Sequence, residues 1–310
     1  MRPYLIVASL IPVLLLIGYG VRKTNGSWLN PALWIGFLVG AGGGVLAYFV
    51  EQALVGWLHL AGTALTLREA AEKGFLVAAF PEEIFKFAGL LLITMFALEG
   101  KRLQDVLLLA VGIGMGFAGL ENMLYLGHAS AWQFIAVLRS VSAVPTHGIL
   151  ALIMGSLLIA TVLSDGNRLP GLALTLLMPV VLHGTYDWLA MASGSGALSW
   201  TFPATVVAMT VSGLMAVALC NVVLPEAAVM DAHIDAGHAR APRKMPKLLV
   251  RSASGFLFLL IAIVRGTGYD ATVCWMAAFL GVLPLTLAFD LIFTWLRGPP
   301  APVAEVPLQA

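Results

Sequence analysis

Glu82 and Glu83 stand side by side near the middle of a mostly apolar stretch of residues 71–98, with Lys86 one turn further on. An acidic side chain at membrane depth costs roughly 2.5 kcal/mol or more, so such a pair usually marks function. Three further apolar stretches carry polar residues of their own: Glu121-Asn122-Met123-Leu124-Tyr125, then Pro145-Thr146-His147-Gly148, then His183-Gly184-Thr185-Tyr186-Asp187. Carboxylates, two imidazoles and amide or hydroxyl donors suffice to activate water against a carbonyl. The same imidazoles, with a glutamate, could instead hold zinc, which accepts both ligand types. No His-Glu-x-x-His run is present, so the zincin spacing is absent. No serine or cysteine has a recognisable nucleophile setting, Ser142 near His147 being the nearest.

One glutamate of the pair has a structural role, because the i, i+4 and i, i+3 spacings to Lys86 let either carboxylate neutralise the ammonium. The other is left ionisable in a medium of low dielectric, as suits a base, and the spacing does not choose between them. Asp187 lies one turn after His183 and can orient its ring. Glu121 with Asn122 reads equally as a helix-packing pair or as part of the site. Tyr125 and Arg139 read as interfacial anchors. His59, His128, His233 and His238 fall in connections and read as solvated.

The elements that must carry these groups follow from composition. The chain has 310 residues, 60% hydrophobic and 11% charged, with a mean hydropathy of +0.95. Soluble domains carry about 25% charged residues, so an all-α polytopic membrane bundle is expected. A net charge of +1 gives no electrostatic case for nucleic acid. About nine spans are expected, near 4–21, 31–50, 71–98, 104–127, 140–163, 170–191, 200–223, 248–265 and 271–296. The first is read as a retained span, because Arg22 and Lys23 follow it with no small-residue cleavage site.

The connections richer in Lys and Arg, holding Arg22, Lys23, Lys101, Arg102, Arg168, Arg240, Arg243, Lys244, Lys247, Arg251 and Arg297, should be cytoplasmic, against Arg2, Arg68, Arg139 and Arg265 on the other side. That puts the N-terminus outside and the C-terminus inside. At about 1.5 Å rise per residue, Glu82, Glu121, His147 and His183 then lie roughly 9–17 Å below the outer surface, a convergence that suggests one cavity. Residues 1–70 are expected to hold N-terminal spans, 71–191 the core, and 192–297 C-terminal spans with a cytoplasmic loop at 225–247. The Pro-rich tail 298–310 is expected to be disordered. Gly40, Gly42, Gly43 and Gly44, and Gly112, Gly114, Gly116 and Gly119, suit close helix packing. Cys220 and Cys274 fall at opposite faces, too far apart for a disulfide.

Taken in order, Glu82-Glu83-x-x-Lys86, Glu121-Asn122-x-x-Tyr125, Pro145-x-His147 and His183 near Tyr186-Asp187 resemble the PrsW family of intramembrane proteases, over about residues 80–190. Each motif is short, but their order on successive helices is specific. PrsW proteins are similar in turn to the CAAX prenyl endopeptidases and to the gamma-secretase scaffold subunit called anterior pharynx-defective. The resemblance implies an integral protein of the bacterial cytoplasmic membrane that makes the first, extracytoplasmic cut in a membrane-anchored substrate, an anti-sigma factor. It implies catalytic roles for Glu82, Glu83, His147 and His183, the histidines as oxyanion donors or as ligands of a metal such as zinc. Lys86, Glu121, Asn122 and Asp187 would support them. Lys86 stands one residue earlier than the arginine common in the CAAX motif, so that part of the analogy is loose. A non-catalytic scaffold and a proton-coupled transporter are the rival classes; the latter would show broken helices or paired repeats.

Overall fold

The computed structural model describes residues 3–23, 26–96, 102–164, 167–194 and 201–235, and every regular element among them is helical. In chain order these are α1 (Pro3–Lys23), α2 (Pro31–Trp57) and α3 (Leu67–Ala71), then a π-helical segment (Glu72–Ala79) that runs into α4 (Phe80–Phe96). There follow α5 (Leu103–His128), α6 (Trp132–Val141), α7 (Ala143–Leu163), α8 (Leu169–Gly194) and α9 (Thr201–Asp235).

Among the described residues, six stretches are long and apolar enough to cross a membrane: Pro3–Arg22, Pro31–Trp57, Leu103–His128, Trp132–Leu163, Leu169–Ala192 and Ala204–Val229. The helix from Leu67 through Phe96 is continuous but carries Glu82, Glu83 and Lys86, and it is not among the six. The eighth and ninth expected spans, Cys274 and His238 lie outside the described residues. Boundaries differ from the sequence reading in three places. The second helix runs to Trp57 and so includes Glu51. The fifth breaks at Ser142, whose backbone (φ −124°, ψ −84°) separates α6 from α7. The helix expected to end near 223 continues through Pro225 to Asp235.

The last difference has a physical cause. Asp231 is buried, and its carboxylate accepts from the Leu103 amide at 2.6 Å and the Gln104 amide at 3.2 Å. Arg102 precedes α5 with no side-chain cap of its own, so α9 supplies from a distance the acceptor that a helix N-terminus needs. At the same end of the bundle, Asn30 caps α2 and donates to Asp105 at 2.6 Å.

α5 is the axis of the bundle. Every residue from Val106 to Gly119 is buried, as is every residue of α7 from Leu150 to Thr161. Glycines set how closely α5 meets its neighbours. A Cβ on Gly36 or Gly40 of α2 would collide with the carbonyls of Leu109 or Ile113, and one on Gly112 or Gly116 with those of Leu33 or Phe37. The two helices therefore touch backbone to backbone, through glycines spaced four apart. On the other side of α5, a Cβ at Gly114 would lie 2.8 Å from the His147 carbonyl and 2.6 Å from the Ala151 methyl. This draws α7 in at the level of His147. Gly42, by contrast, has nothing within 4 Å.

Two outcomes are expected for the purified chain in detergent. Gly116→Val should lower unfolding stability by about 1–3 kcal/mol through overpacking, while Gly42→Val should leave it unchanged. Asp231→Ala should cost about 1 kcal/mol by uncapping α5. Thermal unfolding followed by circular dichroism checks both.

Candidate active site

The glutamate pair sits in the first turn of α4, immediately after the π-helical segment. Pro81 has no amide proton, and the helix absorbs it without breaking: the turn before it is widened, with Phe80 N bonded to the Phe75 carbonyl. This widened turn packs on α8. A Cβ at Gly74 would lie 2.7 Å from the Trp188 amide nitrogen, and one at Gly184 would strike the Phe75 ring. The close seat brings His183, adjacent to Gly184, against the glutamates.

Glu82, Glu83 and Lys86 are all buried. Lys86 Nζ donates to Glu83 Oε1 at 2.8 Å and to Glu82 Oε2 at 3.1 Å. It also lies 3.0 Å from His147 Nδ1 and 4.0 Å from the centre of the Phe117 ring. Since an ammonium only donates, His147 Nδ1 accepts, and its Nε2 proton goes to Glu121 Oε2 at 2.7 Å. His183 Nδ1 meets Glu83 Oε1 at 2.8 Å, and its Nε2 lies 3.3 Å from Asp187 Oδ2. The two imidazoles are edge to face, 5.3 Å between centroids. Both glutamates therefore engage Lys86. Glu83 Oε2 is buried with no hydrogen-bond partner among the described residues.

Glu82, Glu121, His147, His183 and Asp187 line one cavity of about 740 Å³, together with Arg139, Tyr186 and residues of α2. Glu83 is not on that wall; with Lys86 it borders a small void lined by Leu90, Ala110, Ile113, Gly114, Ala151 and Met154. The pair thus has a cavity-facing member and an inner one.

Three residues outside the site expected from the sequence, Arg139, Glu51 and Gln52, belong to this arrangement. Arg139 is not an interfacial anchor: it is buried, its Nε donates to Asn122 Oδ1 at 2.6 Å, and its Nη2 lies 2.8 Å from Glu121 Oε2. That last contact is close but too poorly aligned for a hydrogen bond. The reason for burial is α6, which ends against α5 and turns the guanidinium inward over the Tyr125 ring, 4.1 Å away. Asn122 accordingly holds Arg139 and, through its Nδ2, the Ser9 carbonyl of α1 at 3.3 Å, rather than the Glu/His cluster. Glu51 and Gln52 line the cavity from the last turns of α2. Sequence reasoning placed them beyond the second span; a helix of 27 residues, about two turns longer than a crossing of about 20 needs, was the available signal.

One donor set among the described residues suits a metal. Ligand atoms from Glu82, Glu83, His147 and His183 all lie within 4.8 Å of one another. Two carboxylates and two imidazoles are ligands that zinc and similar divalent ions accept. The orphaned Glu83 oxygen is an unmet acceptor in the same place.

Comparison with known proteins bears on the same region. The model of the PrsW family of intramembrane metalloproteases matches residues 30–218, from α2 into α9, well beyond the 80–190 stretch in which motifs are visible. The chain is similar to Protease PrsW of Halalkalibacterium halodurans, 34% identical over 115 residues, which is 37% of this chain and 53% of that relative. It is 34% identical to Protease PrsW of Bacillus subtilis over 120 residues, 38% of this chain and 54% of the relative. Protease PrsW of Clostridioides difficile is 28% identical over 201 residues, 62% of this chain and 81% of the relative. The chain thus spans about half the length of the first two relatives and four-fifths of the third. No solved structure is detectably similar. With the family match covering well over half of the chain and every residue of the Glu/His cluster, this chain belongs to the PrsW family of intramembrane metalloproteases.

Proposed function

We propose that the chain is an intramembrane endopeptidase that cleaves a membrane-anchored protein by water attack on a peptide carbonyl. The observation that carries this reading is the convergence of Glu82, His147, His183 and Asp187, from three separate helices, on one cavity. Placing the Lys- and Arg-rich connections in the cytoplasm puts that cavity in the outer half of the membrane, the N-terminus outside and the C-terminus inside. The cut then falls on the extracytoplasmic side of the substrate, for which the family resemblance offers an anti-sigma factor in the bacterial cytoplasmic membrane.

In this mechanism Glu82 is the base, because it is the member of the pair that lines the cavity. It takes a proton from water as the water oxygen bonds to the scissile carbonyl carbon. The carbon–nitrogen bond then breaks as the proton passes to the leaving amine. Glu83 holds His183 through Nδ1, and Glu121 holds His147 through Nε2, so each ring has a fixed orientation. With Nδ1–H given to Glu83, His183 donates from Nε2 only as the imidazolium, which faces Asp187 Oδ2 at 3.3 Å, and in that form the developing oxyanion replaces Asp187 there. Arg139 and Asn122 keep Glu121 in place from behind. A metal held by Glu82, Glu83, His147 and His183 would, when bound, polarise the carbonyl or acidify water.

The decisive experiment incubates purified protein in liposomes with a tagged panel of single-span membrane proteins. Glu82→Gln and His183→Ala should each reduce cleavage by about 10²–10⁴-fold, the usual contribution of a positioned acid–base group. Cutting that survives both changes would sink this assignment. Adding 1,10-phenanthroline and then zinc to the wild-type reaction separates the two chemistries: loss followed by restoration makes the histidines metal ligands, and indifference leaves glutamate and water. A second outcome concerns Arg139. Arg139→Met removes a charged hydrogen bond and should cost about 1.5–3 kcal/mol of stability. It should also slow cleavage, since Glu121 then no longer fixes His147; Arg139→Lys should recover part of both. Melting curves and turnover on the same preparations check this.

A further inference from the structure

Lys86 touches three of the four residues that make up the candidate metal set. Its Nζ is 3.1 Å from Glu82 Oε2, 2.8 Å from Glu83 Oε1 and 3.0 Å from His147 Nδ1. Zinc bonds carboxylate oxygen and imidazole nitrogen at about 2.0–2.2 Å, using the same lone pairs that this ammonium now uses. A divalent ion shared by those atoms and the ammonium cannot occupy the place together. Nor does the ammonium have an alternative berth. The space on its far side is a void of about 10 Å³ with walls of Leu90, Ala110, Ile113, Ala151 and Met154, and the Phe117 ring covers another flank. Moving a charge into apolar walls without partners is costly.

The charge balance points the same way. Two carboxylates against one ammonium leave Glu82, Glu83 and Lys86 one negative charge in excess, and Glu83 Oε2 has no partner among the described residues. A divalent ion in the position of Nζ would balance both carboxylates.

We propose that Lys86 is a built-in cation that competes with divalent metal for the Glu82, Glu83 and His147 donors and so sets the metal affinity of this site. Removing its charge turns the cluster into a tight metal site. The proposal concerns the same side chains as the proteolytic reading, but its test measures metal directly, so either can fail without the other.

The test uses the full chain in detergent, with Co²⁺ as the probe. Metal content after dialysis, Co²⁺ absorption and melting temperature are measured for wild type, Lys86→Met and Lys86→Arg. Lys86→Met should bind one Co²⁺ per chain at least about tenfold more tightly than wild type, and adding His147→Ala should abolish the gain. Its melting temperature should start below that of wild type, because two buried carboxylates lose their partner, and should rise by several degrees with Co²⁺. Lys86→Arg, which keeps the charge, should show no such rise. Equal Co²⁺ affinity in wild type and Lys86→Met would overturn the proposal. So would a Lys86→Met chain that fails to fold even when expressed and purified in Co²⁺, since the ion is then unable to stand in for the ammonium.

Discussion

The buried ammonium of Lys86 is the interaction on which the rest of the site depends. Two adjacent buried carboxylates inside an apolar bundle repel each other strongly, because the low-dielectric surroundings screen charge poorly. One cation between them makes the arrangement tolerable. It also binds His147 and thereby ties α4 to α7, while Glu83 ties α4 to α8 through His183. In bilayer-embedded proteins, where hydrophobic burial does not distinguish one helix neighbour from another, such polar contacts carry much of the specificity of packing. Charge and register are thus fixed by the same few atoms.

These polar contacts require the helices to be close, and glycine supplies the closeness. The α2–α5 pair meets backbone to backbone, and Gly114 draws α7 toward α5 at the level of His147. A bundle with alanines at these places would hold its helices further apart, and the hydrogen-bonded chain from Glu121 through His147 to Lys86 would have to stretch. Arg139 and Asn122 extend the same chain outward to α6 and α1, so six helices are coupled to one electrostatic centre.

The all-helical class and the order of the polar helices were legible because charge in apolar sequence is costly and therefore conspicuous. Helix-periodic spacing put both carboxylates within reach of Lys86, and the two glycine-rich helices are those that touch. What stayed hidden depended on tertiary position. Arg139 and Glu51 lie near helix ends, where a charge costs little, so their inward direction leaves no mark in the composition. Which glycines matter was likewise unreadable: Gly36 is in the contact and Gly42 is not, a distinction of helix face against a particular neighbour. The end of α9 was misplaced because the group that stabilises it, Asp231, caps a helix more than a hundred residues away. Local sequence cannot report an acceptor whose donor is so remote.

The widened turn from Glu72 to Ala79 adds a dimension that motif matching does not see. In an α-helix each residue advances the side-chain direction by about 100°, and a π-helical stretch accommodates residues that an α-helix of equal length would not. The direction in which Glu82, Glu83 and Lys86 point is therefore set by how many residues stand before them as well as by their identity. Relaxing this stretch to a regular helix without losing a residue would leave every motif intact and yet turn the glutamates around the helix axis. Chain length between Thr66 and Pro81 is itself an element of the site, and a relative with the same letters but a different count there would aim them at a different wall.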